Sequence, residues 1–300
     1  EVWINGSAAG SHRGGYTPAV FDITEYLQSG ENRINITVAD PLRTPLQPSG
    51  KQCEQYRPYA CFYTRCTGIW QTVWLEYVPK VYIQKVKMLP DVKGEKLDVQ
   101  VTLSENAQVR AVVTYNGMPA AEGGAAATGG IAIFSLSIPD PILWGPGEPN
   151  LYDIVFYAGE DQVTSYFGMR SVEVSGNRVL INGKSVFQRL VLDQGYYPQG
   201  IYTAMDHGDF SRDIRLCMDA GFNGARMHMK IFEPGFIWEA DHAGYLLWGE
   251  YPNWGLDITR HEAMGIMLPE WLEAIERDCN SPSIIGWCPF NESFPGTNTV

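Results

Sequence analysis

Residues 283–293, SIIGWCPFNES, decide how the last third of this chain is interpreted. The apolar run 283–289, introduced by Asn280-Ser281-Pro282, is typical of a buried parallel strand. Asn291 and Glu292 therefore come where that strand ends, which in a (β/α) barrel is the side that carries the active site. Burial between apolar walls raises the pKa of a carboxylic acid, so Glu292 is a candidate general acid. A purely structural role for the pair is the alternative.

Strands and helices alternate from residue 187 onward, which predicts parallel βα units. Four such strands make half of an eight-stranded barrel, and half a barrel leaves an open edge. We therefore expect a sequence truncated at both ends, since it also starts without Met inside a strand pattern. The predicted elements are strand 187–192, a helix from about 209, strand 223–228, a helix around 236–242, strand 245–250, a helix with Leu268, Leu272, Ile275 and Cys279 on one face, and strand 283–289.

The first 174 residues show short strands separated by Gly, Pro and Asn, which predicts two β domains. About ninety residues with alternating apolar and polar positions favour an immunoglobulin-like sandwich for the second domain. The Gly/Ala-rich stretch 122–130 predicts a loop, and residues 178–184 predict a hairpin. The clearest predicted strands are 2–4, 34–38 and 71–75 in the first domain and 97–103 and 131–136 in the second.

Composition excludes several classes of partner. The net charge of −12 argues against nucleic acid and anionic membrane, and favours a neutral or polar small substrate. No apolar stretch approaches 18 residues, so no membrane span is expected. The six cysteines contain no C-x-x-C pair, and no disulfide is indicated among Cys53, Cys61 and Cys66. This cysteine usage favours the cytoplasm.

Three groups of motifs follow one another along the chain and together resemble glycoside hydrolase family 2, the family of β-galactosidases, β-glucuronidases and β-mannosidases. The resemblance implies three domains: an incomplete sugar-binding jelly roll at 1–79, an immunoglobulin-like β-sandwich at 80–174, and the first half of a catalytic (β/α)8 TIM barrel at 175–300. The motifs are VWING, GGYTP, FDIT and GIWQTVWL in the first domain, LWGP, PNLY and FGMR in the second, and FNGARMH, WGE and PSIIGW with Asn291-Glu292 in the third.

The resemblance also implies an activity. A retaining exo-β-glycosidase is expected, β-galactosidase first and β-glucuronidase or β-mannosidase next, with a β-glycoside as partner and no cofactor. Glu292 matches the acid/base, and Asn291 matches the residue that hydrogen-bonds the sugar 2-hydroxyl. A retaining mechanism needs a second carboxylate about 5–5.5 Å away as nucleophile. In this family it comes from a seventh strand, which this sequence does not include, so the 300 residues alone are expected to be inactive.

Further candidates end the preceding strands. Arg226 ends the second strand and matches an Arg that supports the catalytic carboxylates, with a structural ion pair as the alternative. His228 is either a substrate contact or a hydrogen-bonded barrel histidine. Glu250 ends the third strand and is expected to orient Arg226 or substrate, although some relatives use the matching Glu for a divalent metal. Asp193 ends the first strand, where it either recognises the terminal sugar or caps a turn.

Two tryptophans could stack on a sugar ring. Trp254 is retained as a substrate-binding candidate, whereas Trp287 lies inside a strand and is expected in the core. Lys230 could pair with an acidic sugar, but a solvated loop lysine is the preferred interpretation.

We expect Glu292, Arg226, Glu250 and Asp193 to converge at one edge of the sheet. Two other classes of protein stay open: a non-catalytic carbohydrate-binding protein and a purely structural β-sandwich. The Asn291-Glu292 pair argues against the first, and the βα units argue against the second. A homo-oligomer of the full-length enzyme also stays open.

Overall fold

The computed structural model describes residues 1–293. The domain predicted at 175–300 thus ends outside the described residues. Strands dominate up to residue 193, and the three α-helices of the described chain all follow it. No helix within residues 1–293 is both long and apolar enough to cross a membrane.

The N-terminal region contains one small antiparallel sheet of order β2-β1-β3. Its strands are β1 (Val2–Ile4), β2 (Ser7–Gly10) and β3 (Ile34–Ile36), and a 3-10 helix covers Thr24–Tyr26. The strand predicted at 71–75 is wrong, because no described strand lies beside it to share hydrogen bonds. Val73, Trp74 and Leu75 are accordingly 64%, 60% and 61% exposed. Residues 1–293 therefore do not show a jelly roll in this region.

An antiparallel sandwich follows, as predicted. One sheet has the order β4-β5-β8 and the other β10-β9-β6-β7. Alternate residues of β5 point inward, so Leu97, Val99 and Val101 are at most 2% exposed. The strands are β4 (Ile83–Asp91), β5 (Lys96–Leu103), β6 (Gln108–Tyr115), β7 (Met118–Ala126), β8 (Ile131–Ser137), β9 (Tyr152–Ala158) and β10 (Asp161–Phe167).

The loop predicted for the Gly/Ala-rich stretch is wrong over residues 122–126. These residues belong to β7, which pairs with β6 as an edge strand. Their small size has a steric reason: a Cβ on Gly124 would collide with the Val109 carbonyl oxygen, and one on Gly123 would lie 2.7 Å from Leu136 Cδ2. The Gly- and Ala-rich composition predicted a flexible loop. In the structure, the small residues instead allow the β7 backbone to lie close to β6.

A three-stranded antiparallel sheet connects the sandwich to the last region. Its strands are β11 (Val172–Ser175), β12 (Arg178–Ile181) and β13 (Lys184–Ser185). Asn182 and Gly183 both have positive φ, 53° and 72°, as a two-residue hairpin turn of type I′ requires. The hairpin predicted at 178–184 is confirmed.

The last region is a four-stranded parallel sheet of order β14-β15-β16-β17 with helices between successive strands. Parallel pairing brings the last residues of the four strands, Asp193, Met227, Glu250 and Cys288, to one edge. The elements are β14 (Leu190–Asp193), α1 (His207–Asp219), β15 (Gly224–Met227), α2 (Pro234–Ala243), β16 (Leu246–Glu250), α3 (His261–Asp278) and β17 (Ile284–Cys288). The predicted alternation is confirmed, although β14 begins three residues later than expected.

The two faces of this sheet differ. Ala225, Met227 and Leu247 pack against α1 and α2 in a buried apolar cluster. The opposite face carries Arg226, which is paired in register with Leu192 and Trp248. Leu192 on that face is 53% exposed, so no described element covers it.

The face predicted for α3 is wrong. Leu268 and Leu272 are 51% and 63% exposed, whereas Met267, Glu270 and Trp271 are buried. The inward side is an apolar stripe of Ala263, Met267, Trp271 and Ala274, which belongs to a buried cluster. Glu270 lies beside this stripe, and its Oε1 accepts hydrogen bonds from the backbone nitrogens of Gly15 and Tyr16, at 2.7 and 3.1 Å.

We expect Gly124→Ala to destabilise the protein by about 1–3 kcal/mol, because the added methyl group would have to displace the β6 backbone. The matched control is Gly265→Ala at an exposed position of α3, where a Cβ meets nothing within 4 Å. Helix propensity should make that variant more stable by about 0.5–1 kcal/mol. Urea unfolding midpoints of the two variants test this, and shifts of the same sign would contradict the β6–β7 geometry.

Candidate active site

The site begins with an ion pair at the carboxyl edge of the parallel sheet. Arg226 Nε donates to Glu250 Oε2 at 2.5 Å, between β15 and its neighbour β16. Glu250 is 1% exposed, and its other oxygen accepts from the Met229 backbone nitrogen at 3.1 Å. Burial disfavours the Arg226 charge, but the hydrogen bond and the charge of Glu250 outweigh it and raise the pKa of Arg226. Arg226 therefore keeps its positive charge.

Arg226 also reaches the segment after β17. Its Nη2 donates to Asn291 Oδ1 at 2.6 Å, and this fixes the orientation of the amide. Asn253 also holds Asn291 in place, because its Oδ1 accepts a hydrogen bond from the Asn291 backbone nitrogen at 2.8 Å. Asn291 is 6% exposed, yet its Nδ2 has no hydrogen-bond partner in the described structure. A buried amide donor held in place without a partner is suited to binding a ligand.

His228 follows β15 and lies beside the same carboxylate. Its Nε2 is 3.9 Å from Glu250 Oε1, and Gln194 Nε2 donates to its Nδ1 at 3.0 Å. Burial, with the nearby charges of Arg226 and Lys51, lowers the pKa of His228 to about 4. The imidazole is therefore neutral near pH 7, and the Gln194 contact leaves its proton on Nε2.

Glu292 directly follows Asn291 and has a positive φ of 45°. Such a conformation is uncommon for a residue other than Gly and clusters at functional sites. The expectation that apolar walls enclose Glu292 is wrong for the described residues, because this side chain is exposed. It extends beyond the sheet edge, where residues 1–293 provide no covering element.

Asp193 lies at the same edge but on the other face of the sheet. It is paired with Met227, whose side chain packs toward the helices, whereas Arg226 is on the opposite face. Asp193 Oδ1 accepts from the Gly195 backbone nitrogen at 2.8 Å, which is a turn-capping contact. Burial raises the pKa of this carboxyl despite the hydrogen bond and the charge of Lys230. Its side chain does not converge with the Arg226 group.

Lys230 is fully buried, so its interpretation as a solvated loop lysine is wrong. Its Nζ donates to the carbonyl oxygens of Gly195 and Tyr202, at 2.8 and 2.7 Å, and lies 3.1 Å from Glu233 Oε2. Burial lowers the pKa of Lys230, and Glu233 partly offsets this. All of its donors serve the fold, which leaves none for a sugar.

Trp254 closes the site on one side. Its Nε1 donates to the Asn291 carbonyl oxygen at 3.2 Å, so the indole is tied to the residue that carries the free amide. The ammonium of Lys51 lies over the Trp254 ring, 3.8 Å from its centroid. Phe62 also packs against the indole, with ring centroids 5.7 Å apart, so the ring is held between Lys51, Phe62 and Asn291. Trp287 instead packs edge-on against Trp271 at 5.6 Å, which agrees with the expected core position.

Sequence reasoning missed the side chains that hold these residues. Lys51 lies about two hundred positions from Trp254 and within no recognisable motif. Gln194 follows the end of β14, and Asn253 follows the end of β16. Their positions after strand ends were the only sequence signal that could have identified them as site residues.

No group of three His, Cys, Asp or Glu side chains suited to a metal ion occurs within residues 1–293. The Glu250 oxygens are already engaged by Arg226 and by the Met229 nitrogen. The six cysteines are free in the structure.

Curated relatives align along almost the whole chain. A putative β-glucuronidase of Formosa agariphila is 29% identical over 310 residues, covering 98% of this chain and 36% of the relative. A β-galactosidase of Pectobacterium atrosepticum is 29% identical over 338 residues, covering 99% of this chain and 31% of the relative. A β-glucuronidase of Paenibacillus borealis is 27% identical, covering 97% and 53%. The chain spans between a third and about half of the length of these relatives.

A solved structure shares the fold. The β-glucuronidase from Ruminococcus gnavus in complex with D-glucuronic acid superposes with a TM-score of 0.80 at 22% identity, covering 99% of this chain and 53% of that one. The uncomplexed form of the same enzyme gives a TM-score of 0.78. At this identity the likeness establishes the fold alone.

Two family models match consecutive parts of the chain. The model of the sugar binding domain of glycosyl hydrolases family 2 matches residues 1–79, and the model named glycosyl hydrolases family 2 matches residues 81–170. Together they cover more than half of the 300 residues, and the curated relatives extend the similarity across the remainder. The chain belongs to glycosyl hydrolases family 2.

Proposed function

We propose that the protein containing this chain is a retaining exo-β-glycosidase in which Glu292 is the general acid/base. The observation that carries the proposal is the hydrogen-bonded network of Arg226, Glu250 and Asn291, the last of which directly precedes Glu292 in sequence. It joins the ends of three neighbouring parallel strands in one hydrogen-bonded group. Polar side chains at such strand ends are where barrel enzymes place catalysis.

The parallel sheet is the first half of a (β/α)8 barrel under this proposal. Four parallel strands with intervening helices on one face match half of that architecture. The other face carries Arg226, Trp248 and Leu192, and Leu192 is half exposed. In a closed barrel this face lines the interior, and the remaining strands would cover both it and Glu292.

Glu292 performs the proton transfers of two displacement steps. It first donates its proton to the glycosidic oxygen as the bond to the anomeric carbon breaks, and then removes a proton from the water that cleaves the glycosyl-enzyme. The acid role requires Glu292 to hold a proton when the substrate binds.

Asn291 and His228 supply hydrogen bonds to the sugar. The partnerless Asn291 Nδ2 is available for the 2-hydroxyl oxygen, a contact that strengthens in the oxocarbenium-like transition state. Neutral His228 presents an N–H at Nε2 toward the same group of residues. Arg226 and Glu250 keep Asn291 in position, and the turn-capping Asp193 does not contact the sugar.

The proposal also needs a second carboxylate as the nucleophile, about 5–5.5 Å from Glu292. The relatives' names include both β-galactosidase and β-glucuronidase, which supports β-glycoside hydrolysis without choosing a sugar. A non-catalytic carbohydrate-binding protein, the other candidate, would not need an acid/base beside a buried amide donor.

Replacing Glu292 with Gln in the intact protein should slow hydrolysis of unactivated β-glycosides by about 10²–10⁴-fold. Aryl glycosides with good leaving groups should lose much less in the glycosylation step, because their leaving oxygen needs little protonation. Steady-state and pre-steady-state rates on both substrate classes provide the measurement. Added azide should partly restore turnover, since it can replace activated water.

Glu262→Gln, at an exposed position in the first turn of α3, is the matched control and should leave both rates unchanged. Equal losses on both substrate classes without azide rescue would assign Glu292 a structural role.

His228 should make stability depend on pH. Its pKa is about 4 in the folded chain against an ordinary 6.5, so between these values the unfolded chain binds more protons. Stability should therefore fall as pH drops from about 6.5 to 4, and His228→Gln should remove part of that fall. Urea unfolding midpoints measured across this pH range test the prediction. His261→Gln, at the exposed start of α3, is the control. Identical pH profiles for wild type and His228→Gln would contradict the buried neutral imidazole.

A further inference from the structure

Cys61 and Lys51 bring a thiol and an amine into contact. Lys51 Nζ donates to Cys61 Sγ at 3.5 Å. The thiol is on an exposed residue, whereas Lys51 is 5% exposed and takes part in no ion pair formed within residues 1–293. Accessible cysteines in an electropositive environment are the ones that peroxides oxidise most readily. No carboxylate has to be displaced when the ammonium group loses a proton.

Two hydrogen-bonded backbone segments hold this pair together. The Tyr63 nitrogen donates to the Lys51 carbonyl oxygen at 2.8 Å, and the Cys53 nitrogen donates to the Tyr63 carbonyl oxygen at 2.9 Å. The side chain of Lys51 is held from its other side by the Trp254 ring, whose centroid lies 3.8 Å from Nζ. Groups fixed side by side in this way react with each other much faster than with partners in solution.

The neighbouring thiol of Cys53 is not a comparable partner for Cys61. Cys53 is 0% exposed, and its Sγ donates to the Arg57 carbonyl oxygen and accepts from the Gln55 nitrogen, both at 3.3 Å. Cys61 instead has its hydrogen bond with the Lys51 amine. The contacts therefore favour a sulfur–nitrogen link over a disulfide in this segment.

We propose that hydrogen peroxide joins Cys61 to Lys51 by a covalent bond between Sγ and Nζ. The thiol first attacks the peroxide: an S–O bond forms, the O–O bond breaks, and one water leaves. Sulfur loses two electrons to the peroxide and becomes a sulfenic acid. The unprotonated amine then attacks the sulfur, so that the S–N bond forms, the S–O bond breaks, and the hydroxyl group leaves with the amine proton as a second water.

The link is reversible and lies next to the candidate active site. A small thiol that attacks Sγ breaks the S–N bond, and the nitrogen regains a proton and leaves as the Lys51 amine. While the bond exists, Nζ carries no charge and is drawn toward Cys61, so Trp254 loses its cation–π partner. Because Trp254 Nε1 donates to the Asn291 carbonyl oxygen, the modification acts on a contact of the residue before Glu292.

Peptide mapping of the intact protein tests the proposal, with hydrogen peroxide as the oxidant and iodoacetamide to cap the remaining thiols. Cleavage after glutamate cuts at Glu54, between the two residues, and gives the peptides 32–54 and 55–76. In oxidised wild type these peptides should stay joined. Their mass should be the sum of both, with Cys53 and Cys66 capped, less two hydrogen atoms. Dithiothreitol should separate them again.

Two variants remove one partner each. Cys61→Ser and Lys51→Arg should both lower the linked fraction below about a tenth of the wild-type value. In Lys51→Arg the sulfenic acid still forms but has no amine to consume it, so dimedone should label Cys61 more than in wild type. Cys61→Ser changes an exposed position and keeps the test valid if Lys51→Arg does not fold. The matched control Cys66→Ser lacks a thiol of the same peptide, one with no hydrogen bond to Lys51 within residues 1–293, and should keep the link.

Several results would overturn the proposal. Peptides that remain separate after oxidation would show that no link forms. A joined pair with only one capped cysteine would be a disulfide, and a pair heavier by one oxygen atom would exclude the loss of the second water. Dimedone labelling of Cys61 that is equal in wild type and Lys51→Arg would show that the amine does not react. Each of these readouts is independent of the sugar that the protein hydrolyses and of the role proposed for Glu292.

Discussion

The buried Glu250 carboxylate is the constraint on which the site depends. It is 1% exposed, and its two oxygens accept hydrogen bonds from Arg226 and from the Met229 backbone nitrogen, as burial of a polar group requires. Arg226 is thereby held in one orientation, and its remaining donor fixes Asn291 after the next strand. The positions of the three strand ends are therefore coupled through Arg226. The orientation of the backbone before Glu292 follows from this coupling.

The N-terminal region contributes to the same edge of the sheet through two contacts. Gly15 and Tyr16 donate to buried Glu270 on α3. The segment around Ser49 and Gly50 bonds to Trp254 and brings Lys51 over its ring. Residues remote in sequence therefore complete the surroundings of Asn291.

Much of the fold could be predicted from local pattern. Alternation identified the sandwich, and the strand ends identified Arg226, Glu250 and Asn291, because parallel pairing obliges such residues to meet. Prediction failed where a distant partner decides the outcome. Buried Glu270 is paired with the backbone nitrogens of Gly15 and Tyr16, and buried Lys230 with the carbonyl groups of Gly195 and Tyr202. Residues 71–75 have strand character but no described neighbour. Asp193 was placed at the right edge, but it pairs with Met227 and not with Arg226, so its side chain lies on the other face of the sheet.

The central claim is that the network of Arg226, Glu250 and Asn291 presents a glycosidic bond to Glu292. A crystal structure of the intact Glu292→Gln protein with an unhydrolysed β-glycoside tests it most directly. We expect the glycosidic oxygen within about 3 Å of the Gln side chain that replaces Glu292, and the sugar 2-hydroxyl at Asn291 Nδ2, at the hydrogen-bonding distances that acid catalysis requires. A glycoside bound away from the carboxyl ends of the parallel strands, or one that leaves Asn291 Nδ2 without a partner, would contradict the claim.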